Sequence, residues 1–297
     1  MKALVVGGSR YFGVRLVRGL AAAGHGVAVL NRGSRRAELE RELGGAVQWL
    51  IADRRRPEEL KAALGERRWD VVFDQVGFDA DEAALACEVF RGRTARYVFV
   101  SSQSVYGMGA GLREEDFAAE RHVFSNKTSS KDDYAEAKRQ AEAVFASRAE
   151  FPVARVRLPI VLGEDDYTGR LRFHVERALR GEPVVFPSLD ARLSFIHAQD
   201  AADLLQALAG KTYAGPLNMA AREPLRLSRL LALIEAGAGR ALVAAGSGGA
   251  GAPSPFGADS DWWMDVSRLE SLGLSARPIE SWLPGLIASF ARARSDC

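Results

Sequence analysis

The sequence has few cysteines, no long apolar run and little net charge, and each shortage excludes a class of protein. Two cysteines, Cys87 and Cys297, cannot form the disulfide framework of a small secreted domain. No apolar run approaches the roughly 18 residues of a membrane span. The apolar stretch before Gly7 is too short for the core of a signal peptide. These absences predict a cytoplasmic protein without a membrane anchor.

The charge is balanced, because 40 lysines and arginines face 38 aspartates and glutamates, for a net charge of +2. A protein that binds nucleic acid through a broad basic surface is therefore not expected. The four histidines have no metal-ligand spacing, so no metal site is expected either. Arginine accounts for 34 of the basic residues and lysine for 6. A lysine at a motif position is therefore less expected by chance than an arginine would be.

The 297 residues, 47% of them apolar, can form a full hydrophobic core. In the first half, short apolar runs alternate with amphipathic stretches, which is typical of βαβ units and predicts an α/β fold with a parallel sheet. One such stretch, residues 14–23, has apolar side chains at helical spacing. Buried strands are predicted at residues 3–6, 27–30, 47–51, 71–73, 97–100 and 153–157.

The alternation weakens after about residue 165, where a smaller and less regular part of the chain is expected. Its pattern predicts a helix over 171–180, a short apolar segment at 184–186 between two prolines, and a helix over 200–208. Residues 244–257 are rich in glycine, alanine, serine and proline. They predict a flexible loop that contains neither helix nor strand, either a linker or an active-site flap.

The first strand runs directly into a glycine-rich turn, Gly-Gly-Ser-Arg-Tyr-Phe-Gly, which is followed by a helix. Glycines there allow the tight turn and let the backbone approach a pyrophosphate, while the helix N-terminus attracts the phosphate charge. This context predicts dinucleotide binding, since a lone glycine triplet would not. The predicted phosphate-binding residues are Gly7, Gly8, Ser9, Arg10, Tyr11, Phe12 and Gly13.

The second strand ends in Asn31 and Arg32, with no acidic residue to hold a ribose 2′-hydroxyl. An arginine at this position can instead pair with a 2′-phosphate. We therefore expect NADP(H) to be favoured over NAD(H), with Asn31 and Arg32 in the cofactor site. The alternative is an arginine cluster that faces solvent. Further arginines that could assist are Arg10, Arg35 and Arg36.

Asp53 follows the third strand and is the remaining candidate for cofactor binding. Its position suits contact with the adenine ring. It suits equally well a cap for the next helix, whose Pro-Glu-Glu start is typical of a helix N-terminus.

Tyr134 and Lys138 stand four residues apart, on one face of a predicted helix. An ammonium group beside a phenol favours the phenolate, which lowers the phenol pKa from about 10 towards neutral and suits acid–base chemistry. The alternative is an exposed helix pair without a role in chemistry.

Three serines follow the fifth strand, in the stretch Ser-Ser-Gln-Ser-Val-Tyr-Gly. Ligands bind beyond the carboxyl ends of parallel strands, so a hydroxyl there can hold a substrate oxygen. From position alone, Ser101, Ser102 and Ser104 compete for this role.

Taken together, these motifs resemble the extended short-chain dehydrogenase/reductases, which include NAD(P)-dependent nucleotide-sugar epimerases and dehydratases. The likeness also includes Arg-Leu-Pro-Ile-Val-Leu-Gly, Phe-Ile-His-Ala-Gln-Asp and Pro-Leu-Asn further along, so it covers nearly the whole chain. It implies a Rossmann doubly wound parallel sheet that binds NAD(P) in residues 1–165. A smaller, mixed α/β C-terminal subdomain for the substrate would comprise 166–194 and 219–297, with 195–218 returning to the first domain.

The resemblance also assigns roles to residues. It makes Ser102 the catalytic serine and Tyr134 the general acid and base. Lys138 would bind the nicotinamide ribose and tune Tyr134. A homodimer formed through a helix bundle that includes the Tyr134 helix is implied in the same way.

Three departures from the family pattern narrow the function. The 4,6-dehydratases have an Asp-Glu pair after the catalytic hydroxyl, whereas Gln103 and Ser104 stand here, which argues against dehydration. Ile160 replaces an asparagine that contacts the substrate in many nucleotide-sugar enzymes. The fourth strand ends in Asp-Gln-Val-Gly, beginning at Asp74, instead of Ala-Ala or Ala-Gly.

We therefore expect an NAD(P)-dependent oxidoreductase or epimerase that transfers hydride at a carbinol or carbonyl carbon of a small molecule, with nucleotide sugars as one substrate class. One alternative is a reductase of a non-nucleotide small molecule. Another is a cofactor-sensing or RNA-binding protein with a vestigial site, because the opening motif also resembles that of chloroplast stem-loop RNA-binding proteins. The intact serine, tyrosine and lysine set favours an enzyme.

Several further residues are ambiguous from sequence. His197 is expected to make a structural hydrogen bond rather than to catalyse. Trp262 and Trp263 are either core packing or a wall for stacking against substrate. Four arginines in the later chain could contact an anionic substrate or lie at the surface: Arg170, Arg172, Arg192 and Arg240.

Overall fold

The computed structural model describes residues 1–292, so Cys297 lies outside the described residues. No helix among them is both long and apolar enough to cross a membrane. The strands are β1 (Lys2–Val6), β2 (Gly26–Asn31), β3 (Val47–Ile51), β4 (Val71–Asp74), β5 (Tyr97–Ser102), β6 (Gly109–Leu112), β7 (Val153–Leu158), β8 (Ile160–Leu162), β9 (Val184–Val185), β10 (Arg192–Leu193), β11 (Phe195–His197), β12 (Gly215–Asn218), β13 (Leu225–Arg226), β14 (Ala244–Ala245), β15 (Ala252–Pro253) and β16 (Trp262–Met264). The α-helices are α1 (Phe12–Ala22), α2 (Arg36–Leu43), α3 (Pro57–Leu64), α4 (Ala80–Phe90), α5 (Tyr134–Arg148), α6 (Arg170–Arg180), α7 (Ala198–Ala209), α8 (Leu227–Ala238), α9 (Ser267–Ser271) and α10 (Leu283–Arg292).

A seven-stranded sheet forms the centre, in the order β12-β7-β5-β4-β1-β2-β3. Every neighbouring pair in it is parallel. Parallel strands are covered on both faces, which explains why most of them appear in the sequence as continuous apolar runs. The prediction of an α/β fold with a doubly wound, Rossmann-type sheet is confirmed, and the six strands predicted for it all form.

Helices cover both faces of this sheet. On one face α1 packs beside α7, with Leu16, Val17 and Leu20 of α1 fully buried. On the other face α4 packs beside α5. Each such apolar side chain stabilises the fold by roughly 1.5–3 kcal/mol when it leaves water.

The strand order reverses between β1 and β4, which lie side by side. Chain segments leave the carboxyl ends of these two strands in opposite directions, so a crevice forms between them. The glycine turn after β1 and residues 75–78 after β4 form its walls. The fold therefore places the two motifs at one edge of the sheet.

A second core lies in the later part of the chain, where α6, α8 and α10 pack together. Its four-stranded sheet, β13-β10-β16-β6, includes β6 from the first half of the chain. Gln103 joins the two parts by donating from Nε2 to the carbonyl of Trp262 at 2.8 Å. The segment after β5 is thus anchored to the smaller core.

The prediction that residues 244–257 contain no strand is wrong. β14 and β15 pair in parallel with β9 on its two sides. Small residues make this pairing possible, since a Cβ on Gly251 would lie 2.7 Å from the Pro183 carbonyl oxygen. Phe256 and Ser254 are buried beyond β15, so this segment packs against the second core.

His174 is fully buried against this segment. Its Nε2 shares a hydrogen bond with Ser254 Oγ at 2.8 Å, its Nδ1 with the Arg170 carbonyl at 2.7 Å, and its ring stacks on Phe256. Burial lowers the pKa of His174 to about 4, from an ordinary value of 6.5. The folded protein therefore resists protonation that the unfolded chain accepts.

We expect this histidine to make the protein acid-sensitive. Because the folded pKa is depressed, its contribution is complete above about pH 6.5 and is lost as the pH falls towards 4, by about 3 kcal/mol in all. Urea unfolding between pH 7 and 4.5 measures the slope, which should shrink in His174→Phe but persist in His25→Asn. An unchanged slope in His174→Phe would contradict the assignment.

Candidate active site

Two adjoining cavities lie at the carboxyl edge of the sheet. The main cleft, about 310 Å³, is bounded by the glycine turn, residues 75–78, the end of β5, the start of α5 and residues 158–170. The second cavity, about 260 Å³, lies between the ends of β1, β2 and β3. The two share Gly7, Val76 and Phe78. Together they can receive an extended ligand that crosses the glycine turn.

The glycine turn needs its glycines. Gly7 and Gly8 have φ angles of 102° and 62°, and a Cβ on Gly8 would lie 2.8 Å from Val5 Cγ1. A Cβ on Gly13 would lie 3.1 Å from the Gly8 Cα, so Gly13 lets α1 approach the turn. Helix α1 has neither a side-chain cap nor an acidic residue in its first turn. Its N-terminal N–H groups therefore favour an anion.

The structure places the predicted cofactor residues around the two cavities. Residues 7–12 line the main cleft, while Asn31, Arg32 and Asp53 line the second. Asn31 holds the turn itself, since its Nδ2 donates to the Gly7 carbonyl and its Oδ1 accepts from Gly33 N. Gly13 lies just behind the turn, where its role is to let α1 pack closely.

The arginines near the second cavity differ in their partners. Arg35 pairs with Glu38 and donates to the Ser9 carbonyl, and Arg36 pairs with Glu40. Arg32 is exposed at the cavity and makes no hydrogen bond or ion pair with residues 1–292. Of this group, Arg32 is thus the one most available to a ligand.

Asp53 does not cap the following helix. The N-cap residue of α3 is Arg56, which makes no side-chain cap, and Asp53 accepts from Arg55 through both its backbone and side-chain N–H groups. Hydrogen bonding with Arg55 holds the pKa of Asp53 below its usual value. Of the two interpretations, the cap is therefore wrong, and Asp53 remains a charged residue at the second cavity.

Geometry separates the three serines. Ser101 also lines the main cleft, but its hydroxyl is buried and donates to Glu142 Oε1 at 2.6 Å. Ser102 lines the main cleft, and its Oγ lies 2.9 Å from Ser104 Oγ and accepts from Ser104 N. Ser104 is not part of the cleft lining. Ser102 is therefore the serine that the structure brings to Tyr134 and Lys138.

Lys138 is buried in the cleft wall, one helical turn below Tyr134. Its Nζ donates to the carbonyls of Gly77 at 2.6 Å and Val100 at 2.8 Å, and lies 4.8 Å from the ring centre of Phe99. Burial lowers the pKa of Lys138 to about 8. An ammonium has three donors, so one remains for a ligand.

The expectation that Lys138 lowers the pKa of Tyr134 is not met in this structure. Tyr134 exposes 42% of its surface to the open cleft, but protein surrounds its hydroxyl on most sides. Burial raises the pKa of Tyr134, and hydrogen bonding with Ser102 opposes the rise. The Lys138 ammonium lies 5.9 Å from the Tyr134 ring centre because the backbone carbonyls of Gly77 and Val100 hold it.

The cleft contains residues that sequence reasoning missed. Asp166, Tyr167 and Thr168 line it, and Tyr11 meets Tyr167 edge to face at a ring-centre distance of 6.1 Å. The hydroxyl of Tyr11 is buried and has no hydrogen-bond partner among residues 1–292. Asp166, Tyr167 and Thr168 belong to a loop between β8 and α6 that has no motif, so no sequence signal identified them.

Of the four later arginines, only Arg170 lines the main cleft. Arg172 stacks on Phe290, Arg192 pairs with Asp261 and Arg240 donates to the Leu179 carbonyl. The sequence did not separate them because their side-chain partners come from distant segments.

Two other ambiguous sites are resolved. His197 accepts from Gln199 N at 3.1 Å and so caps α7, which confirms a structural hydrogen bond. Trp263 lies under Arg192 at a third cavity and, like Trp262, is not part of the main cleft lining. The main cleft thus has no tryptophan wall.

A sequence profile of the NAD dependent epimerase/dehydratase family matches residues 3–219, which include both cavities and the Ser102, Tyr134 and Lys138 set. The chain belongs to this family. The family match agrees with the resemblance that the glycine turn and the tyrosine–lysine pair indicated.

A curated relative of this family member is the chloroplast stem-loop binding protein of 41 kDa b from Arabidopsis thaliana. The two are 29% identical over 116 residues, which is 35% of this chain and 30% of the relative. The chain therefore spans less than a third of the length of the curated relative that it matches.

Solved structures of similar fold include UDP-glucose 4-epimerase of Thermus thermophilus with NAD, at a TM-score of 0.72 and 21% identity over 100% of both chains. UDP-glucuronic acid 4-epimerase of Bacillus cereus, with UDP-glucuronic acid and NAD, gives 0.73 and 17% over 100% of both chains. dTDP-glucose 4,6-dehydratase of Bacillus anthracis, with NAD, gives 0.76 and 15% over 99% of this chain and 97% of its own. At these identities the likeness shows the fold.

The residues around the two cavities fit the nicotinamide dinucleotide that the family name implies. A Cβ on Gly7 would lie 2.9 Å from Val76 Cγ1 and one on Gly8 would lie 2.8 Å from Val5 Cγ1, so the tight path of the turn needs glycine at both positions. The N-terminus of α1, which the turn leads into, lacks a cap. Nε2 of Gln75, a residue that lines the main cleft, is buried without a hydrogen-bond partner in the described part of the chain. A ligand group in this part of the cleft would satisfy it.

Proposed function

We propose that this protein is an NAD(P)-dependent oxidoreductase or epimerase that acts at a carbinol or carbonyl carbon of a small molecule. One observation carries the proposal: Ser102, Tyr134 and Lys138 line one cleft, directly beside an uncapped helix N-terminus and a glycine turn. Acid–base residues and a phosphate-binding turn are the two parts that hydride transfer from a dinucleotide requires.

In this mechanism each residue has a separate task. Tyr134 exchanges the proton of the substrate hydroxyl, and Ser102 Oγ holds the substrate oxygen. Lys138 keeps one donor for a ribose hydroxyl while two backbone carbonyls orient it. A nicotinamide dinucleotide, which the glycine turn and Lys138 would hold, would supply hydride donor and acceptor chemistry at the substrate carbon.

Nucleotide sugars are the first substrate class to test, because solved relatives carry UDP-glucuronic acid or are named for UDP-glucose and dTDP-glucose. Dehydration is disfavoured. Gln103 is buried and bonded to the Trp262 carbonyl, and Ser104 bonds to Ser102, so no acid–base pair follows the catalytic serine. If the oxidised substrate stays bound and is reduced on its other face, the outcome is epimerisation; if it leaves, the enzyme is a dehydrogenase.

The function is tested by incubating the protein with NADP⁺ or NAD⁺ together with one nucleotide sugar at a time. The three sugars are UDP-glucose, UDP-glucuronic acid and dTDP-glucose. An epimerase inverts a stereocentre, seen by NMR, with no net cofactor reduction. A dehydrogenase produces reduced cofactor, seen by fluorescence. NADPH consumption with simple carbonyl compounds alone would support a reductase of non-nucleotide substrates. Failure to bind any nicotinamide dinucleotide would refute the proposal.

We propose NADP(H) as the preferred cofactor, and Arg32 as the reason. Removing one charge-assisted hydrogen bond to a phosphate costs about 1.5–3 kcal/mol, so Arg32→Ala should weaken NADPH binding roughly 10–100-fold and leave NADH binding almost unchanged. Fluorescence titration measures both dissociation constants. Arg36→Ala is the matched control, because Arg36 is already paired with Glu40. Tighter binding of NADH than of NADPH by the wild-type protein would show that the preference is wrong.

A second candidate is an RNA-binding or cofactor-sensing protein with a vestigial site. The observation in its favour is the name of the Arabidopsis relative, a stem-loop binding protein. The balanced charge of the chain argues against it, since RNA binding draws on phosphate contacts. Titration of the protein with a labelled RNA hairpin, at increasing salt, distinguishes it from the enzyme.

Two expectations about the state of the protein in the cell remain predictions. The predicted homodimer contact through α5 can use only the part of the helix that stays exposed, because more than half of its residues are buried within one chain. A cytoplasmic location rests on the composition of the sequence. Sedimentation and fractionation experiments can check them.

A further inference from the structure

The end of β4 carries a buried acidic residue that the proposed mechanism does not use. Asp74 stands there, at the strand that borders the crevice, and it is fully buried. A buried carboxylate is costly unless charged and hydrogen-bonded groups surround it. Its partners therefore indicate what it does.

Three groups satisfy the Asp74 carboxylate. Its Oδ1 forms an ion pair with Nη1 of Arg54 and accepts from Val76 N at 3.2 Å. Its Oδ2 accepts from the hydroxyl of Tyr97 at 2.7 Å. A Cβ on Gly77 would lie 2.7 Å from this Oδ2, so residues 75–77 wrap closely around the carboxylate.

Arg54 fixes the other end of the same segment. Its side chain is 11% exposed in the wall of the second cavity, and its Nη2 donates to the Glu82 carbonyl at 3.3 Å. Glu82 in turn accepts from Phe78 N at 2.7 Å. The segment 75–78, which separates the two cavities, is thus held at Val76 by Asp74 and at Phe78 by Glu82.

The same segment holds Lys138. The Lys138 ammonium donates to the carbonyl of Gly77 at 2.6 Å, and Gly77 lies three residues beyond Asp74. The negative charge of Asp74 attracts the buried cations of both Arg54 and Lys138. This attraction favours the protonated form of each of the two side chains. Loss of this charge would leave two cations in a site of low polarity.

We propose that Asp74, with Arg54 as its counter-ion, is a positioning residue of the cofactor site, which fixes residues 75–78 and through the Gly77 carbonyl holds Lys138. Asp74 itself is not part of the lining of either cavity. This inference rests on the proposed function for its effect on dinucleotide binding, but its effect on Lys138 is independent of that function.

The first measurement therefore uses the protein without ligand. Acylation of Lys138 by acetic anhydride, quantified by peptide mass spectrometry, should be roughly 10–100-fold faster in Asp74→Asn, the factor that corresponds to one hydrogen bond to a charged group. Tyr97→Phe is the matched control, since it removes a hydrogen bond from the same carboxylate without removing charge. Its Lys138 reactivity should stay close to that of wild type.

The second measurement compares dissociation constants of NADPH and of ADP, which lacks the nicotinamide ribose. Asp74→Asn should weaken NADPH binding more than ADP binding. If this variant does not fold, the charge-neutral double variant Arg54→Met/Asp74→Asn replaces it, with the same two shifts expected. Wild-type Lys138 reactivity in a folded Asp74 variant would overturn the proposal. If wild type binds no dinucleotide, the proposed function fails, while the Lys138 comparison still decides the positioning role.

Discussion

Replacing Tyr134 by phenylalanine is expected to slow hydride transfer about 10²–10⁴-fold, the usual contribution of a general acid or base. The substitution removes one oxygen atom, which lies in the main cleft beside Ser102. The ring stays at the start of α5, so the helix and the Lys138 contacts should persist. Cofactor affinity should therefore stay near that of wild type, and the loss should be in the chemical step.

Single-turnover reduction of the bound cofactor, with the substrate found by the nucleotide-sugar screen, measures this rate. Tyr167→Phe is the matched control, because Tyr167 stands at the rim of the same cleft with 71% of its surface exposed. Its rate should be close to wild type. Unchanged turnover in Tyr134→Phe would remove Tyr134 as the acid and base. Full biological activity of that variant with intact cofactor binding would favour the vestigial-site alternative.

The central sheet could be predicted from sequence because its signal is local. Strands buried on both faces need apolar residues at nearly every position, and a run such as Val71–Phe73 has few other interpretations. The segment 244–257 was misread for the opposite reason. Its glycines and alanines are usual in linkers, yet here they let two-residue strands approach β9, as the position of Gly251 against Pro183 shows.

The candidate site, too, could be predicted from sequence only where the signal is local. The spacing of Tyr134 and Lys138 is set by one helix, so the sequence indicated that they share a face. The direction of the Lys138 ammonium depends on carbonyls at the ends of β4 and β5, which sequence spacing cannot locate. The choice among three serines likewise required the structure, because Ser101 and Ser102 both line the cleft and only the structure shows that Glu142 accepts from the Ser101 hydroxyl.

A buried polar network supports the strand that carries Ser102. Glu142 of α5 is fully buried and accepts from Arg157 Nε at 3.0 Å, from Arg157 Nη2 at 2.7 Å and from the hydroxyl of Ser101. Arg157 also donates to the hydroxyl oxygen of Tyr106 at 2.7 Å. Tyr106 in turn donates to Asn218. One carboxylate therefore links α5, β5, β7 and β12.

Replacing Glu142 by glutamine should destabilise the protein by about 3–5 kcal/mol, because the buried Arg157 then loses its counter-ion. Urea unfolding at pH 7 measures the change. Glu280→Gln is the matched control, because Glu280 pairs with Arg229 and about half of each side chain is exposed, so its loss should destabilise the protein far less. The double variant Glu142→Gln/Arg157→Met should recover part of the loss, since it leaves no unpaired charge at that position. Equal losses in Glu142→Gln and Glu280→Gln would mean that the buried pair contributes no more than a surface one.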